Sequence, residues 1–340
     1  MGRFPLRIAA WACTCLLAGC STESGHEEAP SAAPSAAPTA TAATTPSASA
    51  SAHAAPAVNG DATDADELGA IPVLMYHQII ARPGPDDLTP DAFRSELQTL
   101  YERNFRPVLA ADLAAGHIDV PAGTHPVVLT FDDSTVSQAR IGDDGEPMPG
   151  TALGMIEAFG RDHPDFRPTA TFFINTYPPP FVDERVIPWL VSHGYEVAAH
   201  TRTHANLRAL SAAGVQAEIA TNIAELEAAA PGYRVTTLAY PFGNPPLARD
   251  LAVRGEGNGT SYCLDGAFGV DEVAAGPPYR RGFDPLWIPR VGTGDAAALL
   301  AALQVHPERL YVSDGDPDVI SFPPGRESEF DPDWRSSLPC

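Results

Sequence analysis

The sequence predicts an α/β domain, a distorted (β/α) barrel of about seven parallel strands. Three observations carry that expectation. From about Gly69 onward, short apolar runs alternate with segments of helical periodicity. The stretch is roughly 270 residues long, which suits one barrel-like domain. The polar residues best equipped for chemistry follow directly on the apolar runs, and parallel α/β folds gather their chemistry at those strand ends.

The candidate strands are 71–77, 126–133, 169–175, 196–201, 236–243 and 287–292, with 261–268 a weaker seventh. Helices lie between them. Thr89-Pro90 reads as an N-cap followed by proline at the first helical position, and Phe93, Leu97, Leu100 and Tyr101 then mark one apolar face. A second helix starts at Ser211, aligns Val215, Ile219, Ile223 and Leu226, and stops at Pro231-Gly232. Gly255-x-Gly257-x-Gly259 has no strand before it and reads as a flexible loop, not a dinucleotide fingerprint. The acidic stretch 142–150 either borders a cleft or is a solvated loop.

Composition excludes several classes. Apolar residues make up 44% of the 340, enough for a core. Acids outnumber bases 43 to 21, the net charge is −22, and every base is arginine. Such a chain is unsuited to neutralising nucleic-acid phosphates or to lying on an anionic membrane through basic residues. No apolar run reaches the ~18 residues of a membrane span.

Residues 1–19 read as a secretory signal. Arg3 and Arg7 make a positive start, 8–18 is a short apolar stretch, and Leu17-Ala18-Gly19-Cys20 resembles the bacterial lipoprotein cleavage box. That resemblance implies an exported protein, cleaved before Cys20 and anchored to a membrane by lipid on that thiol, facing the periplasm or cell exterior. Residues 20–68 read as a disordered tether: from Ala29 to Ala57 all are Ala, Pro, Ser or Thr except His53. As a coil the tether would reach on the order of 40 Å. Residues 69–340 form the globular domain. Of the cysteines, Cys263 and Cys340 remain in it, either as a disulfide, which an oxidising compartment favours, or as two thiols.

Three polar clusters close strands. Thr130-Phe131-Asp132-Asp133 offers two adjacent carboxylates that point differently, so one can ligate a metal while the other serves as a base; two turn aspartates would look the same. His200-Thr201-Arg202-Thr203-His204 places histidines at i and i+4, on one face if the segment is a helical turn, where they could chelate one ion or simply lie on the surface. Ala239-Tyr240-Pro241-Phe242-Gly243 is a rigid turn able to aim a backbone N–H into a site. His77 ends the first strand. The chain has no Gly-x-Ser-x-Gly, and Asp314-x-Asp316-x-Asp318 lacks the glycine a calcium loop needs, having Val319 there.

Taken together and in this order, these motifs resemble the polysaccharide deacetylases, the NodB-like enzymes of carbohydrate esterase family 4, over about residues 70–325. Pro72-Val73-Leu74-Met75-Tyr76-His77, Ile288-Pro289-Arg290 and Val312-Ser313-Asp314-Gly315-Asp316-Pro317 resemble the branch containing poly-N-acetylglucosamine deacetylases. The resemblance implies Asp133, His200 and His204 as ligands of a divalent metal, zinc first, with cobalt, nickel or iron as alternatives. It implies Asp132 as general base, the Phe242 N–H in the oxyanion hole, and His77 as general acid in place of the family's late histidine, for which His306 is the nearest late candidate. The family's usual arginine is absent at Ala239, and its glycine at Ser134; Arg290 is the candidate to orient the base. The implied partner is an acetylated polysaccharide, with N-acetyl groups of an N-acetylglucosamine polymer as substrate. The alternatives are O-acetyl groups of a xylan-type polymer, or a non-catalytic glycan-binding lipoprotein. The oligomeric state is not legible.

Overall fold

The computed structural model describes residues 57–60 and 64–340; the signal at 1–19, Cys20 and most of the tether lie outside the described residues. Eight parallel strands form the main sheet: β1 Val73–Tyr76, β2 Phe105–Val108, β3 His125–Asp132, β4 Thr171–Ile174, β5 Glu196–Ala199, β6 Thr237–Ala239, β7 Gly266–Phe268 and β8 Val291–Gly292. Seven run in the order β7-β6-β5-β4-β3-β1-β8, and β2 pairs with the start of β3. The sheet curls until segment 285–292 reaches both of its edges. Ile288 exchanges backbone hydrogen bonds with β7 through Ala267 and Gly269, and Val291 lies in register with Leu74 of β1. This is the expected distorted barrel.

Register decides what meets at the C-terminal rim. Tyr76 lies opposite Phe131, Asp132 opposite Phe173, Ile174 opposite Ala199, and Ala199 opposite Leu238. The residues that follow these positions therefore leave the sheet at one level.

The helices lie between the strands as the periodicity requires: α1 Pro90–Glu102, α2 Ala110–Ala115, α3 Ala152–Asp162, α4 Val186–Ser192, α5 Ala212–Ala229 and α6 Thr293–Val305. Thr89 caps α1 by accepting from the Ala92 N–H, with Pro90 at the first position, and Phe93, Leu97 and Leu100 are buried. Ser211 caps α5 in the same way, and Val215, Ile219, Ile223 and Leu226 face the core. No helix among the described residues is long and apolar enough to cross a membrane.

Four expectations need correction. Phe105-Arg106-Pro107-Val108 is a strand although Pro107 cannot donate to a ladder; it sits at an edge, paired with β3 alone among the described strands, where proline is tolerated. The glycine-rich 254–263 is an antiparallel hairpin of Arg254–Gly257 and Thr260–Cys263, not a flexible loop. Its turn, Asn258-Gly259, has φ of 51° and 82°, as a two-residue hairpin turn demands. In 287–292 only Val291–Gly292 is a strand. The fold also begins before Gly69: Ala57–Asn59 pairs with Val319–Ser321, Leu68 is fully buried, and Glu67 accepts from the Ser321 N–H at 2.9 Å. Backbone pairing and one buried carboxylate hold this polar stretch, so apolar content did not mark it. Cys263 and Cys340 are joined as a disulfide with Cα atoms 5.8 Å apart.

At the opposite end of the barrel from that rim, Glu196 opens β5 and is buried. It accepts from Thr171 Oγ1 at 2.7 Å, Thr237 Oγ1 at 2.5 Å and the Ala111 N–H at 2.9 Å, tying β4, β6 and α2 together. Burial pushes its carboxyl up to about 6 against the pull of those hydrogen bonds. The native state thus holds this proton more tightly than the unfolded chain, so stability falls as pH rises from about 4.5 to about 6. Chemical unfolding of the wild type and Glu196→Gln across that window should show the wild type losing about 2 kcal/mol that the variant keeps; parallel curves would refute it.

Candidate metal centre

Four strand ends and the closing segment supply the site. β3 ends in Asp132 and runs into Asp133, β5 leads to His200 and His204, β1 leads to His77, β6 leads to Phe242, and Arg290 precedes β8. Asp133 Oδ1 lies 3.3 Å from His204 Nε2 and 3.6 Å from His200 Nε2. One donor atom from each of these residues falls within 4.8 Å of the others. Donors bound to one zinc-sized ion at ~2.0–2.2 Å with tetrahedral angles are about 3.3–3.6 Å apart, and the two Asp133 separations match that spacing. Asp133 Oδ1 is buried with no hydrogen-bond partner, as an acceptor reserved for a ligand would be.

The tautomer of His200 follows from its surroundings. Its Nδ1 lies 2.9 Å from the Ala239 carbonyl, an obligate acceptor, so Nδ1 carries the proton and Nε2 keeps its lone pair for the cluster. His204 is held toward its neutral form, by burial first and then by the neighbouring His200. The carboxyl of Asp133 is lowered: burial opposes ionisation, and the nearby His200 outweighs it.

The histidines do not converge through a helical turn as their spacing suggested. Residues 200–206 form a loop in which Thr201 and His204 take φ of 63° and 54°. Asp133, Ser134 and Phe242 are left-handed too, at 75°, 50° and 58°. Such conformations persist where surroundings over-determine them. Here the Thr201 hydroxyl accepts from the Ala205 N–H, and Ser134 Oγ donates to the Asn175 carbonyl. Asn175 Nδ2 donates to the carbonyls of His200 and Thr201, and Asn222 Oδ1 accepts the His200 N–H at 3.1 Å. Sequence reasoning missed both asparagines. Asn222 does carry a signal, a polar residue on the apolar face of α5 beside Ile219 and Ile223.

Asp132 is fully enclosed. Arg290 grips it with two parallel hydrogen bonds, NH1 to Oδ1 at 2.6 Å and NH2 to Oδ2 at 2.8 Å. The guanidinium also donates to Thr130 Oγ1 and the Gly269 carbonyl and lies 5.0 Å over the Phe173 ring. Burial alone would raise the Asp132 carboxyl; the charge and hydrogen bonds of Arg290 hold it well below the usual carboxylate range. Arg290 therefore stands beside the carboxylate, while Ala239 serves through its carbonyl.

His77 Nε2 lies 4.0 Å from Asp133 Oδ2, and its Nδ1 is buried without a partner. The Phe242 ring sits against His204, centroids 4.4 Å apart, and is largely exposed. The cleft beside Asp133 and His204 has a volume of about 340 Å³, with Val136, Asn175, Tyr177 and Val182 among its walls. His306 is not part of this group; it ends α6 on the surface and faces Glu308 at 3.1 Å. The acidic loop 142–150 folds on itself through an Ile141–Pro147 bridge and is not part of the cleft wall.

Residues 165–254 match the polysaccharide deacetylase family. Among solved structures, the fold is similar to that of the Streptococcus pyogenes deacetylase PplD in complex with acetate, with a TM-score of 0.50 and 17% identity over 68% of this chain and 97% of that one. It is also similar to BC0361, a polysaccharide deacetylase from Bacillus cereus, with a TM-score of 0.50 and 21% identity over 69% of each chain. No curated protein matches the chain.

The candidate donor cluster of Asp133, His200 and His204 leaves Asp132, 3.7 Å from His200 Nε2 but paired with Arg290, outside it. Zinc titration calorimetry should find affinity lowered ~100-fold or more in His204→Ala and Asp133→Asn, and within ~10-fold of wild type in Asp132→Asn. Equal losses in all three would put Asp132 among the ligands.

Proposed function

We propose that this chain is a polysaccharide deacetylase, a reading its fold and the family match over residues 165–254 support, and that it removes N-acetyl groups from an N-acetylglucosamine polymer with the help of a divalent metal, most naturally zinc. The observation that carries this reading is the three-donor cluster of Asp133, His200 and His204 beside an ion-paired Asp132 at one rim of a parallel barrel. An ion held by those three residues would polarise the acetyl carbonyl and make a bound water acidic.

The residues of the chain then divide the work. Asp132 is kept ionised at neutral pH by Arg290, ready to accept the water's proton. The Phe242 backbone N–H donates to the oxygen that becomes negative as the carbonyl turns tetrahedral, a contribution of about 3 kcal/mol for a well-placed donor. His77 gives its proton to the departing amine. An amine leaves poorly without one, which is the reason to favour an amide over an ester as substrate.

The export reading belongs here as well. The signal-like 1–19 and the Leu17-Ala18-Gly19-Cys20 box support a lipid-anchored enzyme outside the cytoplasm, and the Cys263–Cys340 disulfide suits an oxidising compartment.

An acetate-release screen over chitin oligomers, poly-N-acetylglucosamine, peptidoglycan and acetyl-xylan should give turnover on an N-acetylglucosamine polymer, abolished by chelation; release from acetyl-xylan alone would make it an ester hydrolase. His77→Ala should keep metal and fold, lose ~10²-fold or more on the amide, and retain much of its activity on 4-nitrophenyl acetate, whose leaving group departs without a proton. Equal losses on both would deny His77 the acid's role.

A further inference from the structure

Strands β1 and β3 pair as far as Tyr76 and Phe131 and then part. The next residues on each are His77 and Asp132, the proposed acid and base. Past that last rung β1 and β3 have no further paired residues. A side chain from the loop after Asp133 takes over. Gln138 is fully buried, and its Nε2 donates both to the His77 carbonyl at 2.6 Å and to the Asp132 carbonyl. The orientation of this amide is unambiguous, because both partners are acceptors and only the NH2 end can serve them. Its Oε1 is buried without a partner, so the side chain is held in place by these two donations and not by its own carbonyl.

The loop that carries Gln138 is fixed in turn. The Gln138 N–H donates to the Thr135 carbonyl, its carbonyl accepts the Leu153 N–H from α3 at 2.8 Å, and Ser137 Oγ accepts the Ile79 N–H just past His77. The rung is therefore mounted on α3 and not on a mobile tip.

We propose that Gln138 is a positioning residue that adds one side-chain rung to the β1–β3 ladder and so sets the spacing of His77 from Asp132. It touches neither substrate nor ion and acts through the two backbones. The proposal rests on the reading of His77 as the acid, and its test separates the two. Gln138→Met keeps the length of the side chain and removes both donors; Gln138→Asn keeps the amide but falls one methylene short, and serves should the first variant fold poorly. Each is measured alone and in a His77→Ala background, by thermal unfolding, zinc calorimetry, and kcat and KM on N-acetylglucosamine hexamers.

The expected result is a kcat lowered ~10-fold with KM and zinc affinity within ~2-fold of wild type, and little further loss from the same substitution once His77 is gone. A loss of the same factor in both backgrounds would overturn the proposal, leaving Gln138 a stability residue only. An unchanged kcat in the single variants would overturn it as well. If His77→Ala is itself silent, the acid assignment falls and takes the proposal with it.

Discussion

A single buried ion pair joins the fold to the site. Arg290 comes from segment 285–292, which touches both edges of the curled sheet, and Asp132 comes from β3 inside it. Their bidentate contact spans the barrel at the rim. Two charges removed from water cost several kcal/mol each, and only near-ideal geometry with further hydrogen bonds offsets that. Both conditions hold: both Asp132 oxygens are engaged, Thr130 and Gly269 take other guanidinium protons, and Phe173 covers its face. Losing either partner would strand the other as a buried charge, typically a loss of about 3–5 kcal/mol. The pair thus closes the barrel and sets the charge of one carboxylate, and the second effect cannot be altered without the first.

Position 239 is filled by alanine, and the guanidinium at Asp132 belongs to another segment. Ala239 is small and buried, and its carbonyl is free to orient His200 through Nδ1. The guanidinium is that of Arg290, just before β8. What the site needs is a bidentate cation at that carboxylate, and the topology offers more than one strand end from which to deliver it.

Much of the fold was legible because its signals are local. Thr89-Pro90 and Ser211 cap their helices, and the apolar faces of α1 and α5 are those that periodicity marks. Asp132, Asp133, His200, His204, Phe242 and His77 were visible as residues at or after apolar strands, but their roles were legible only through the family resemblance, and Arg290 precedes its strand. What escaped depended on partners. Phe105-Arg106-Pro107-Val108 is a strand only because β3 offers an edge, and Ala57–Asn59 only because Val319–Ser321 lies beside it. The Asn258-Gly259 turn was a local signal that the surrounding glycines obscured. The i, i+4 spacing of His200 and His204 suggested a helix, yet left-handed residues at Thr201 and His204 bring them to one carboxylate by another path. No period in the sequence encodes that path; Asn175 and Asn222, fixed from β4 and α5, enforce it.

Polar groups around the centre are satisfied unevenly. The His200 backbone is bound at both N–H and carbonyl, Asp132 at both oxygens, and the His77 carbonyl by Gln138. Unpartnered buried side-chain atoms are few in native proteins. Of the six among the described residues, three belong here: Asp133 Oδ1, His77 Nδ1 and Gln138 Oε1. The first two are the atoms of a proposed ligand and a proposed acid. A fold selected for stability alone would have paired them. Saturating the backbone while leaving those side-chain atoms open holds the loops rigid and leaves their chemistry available, which is what a preorganised centre requires.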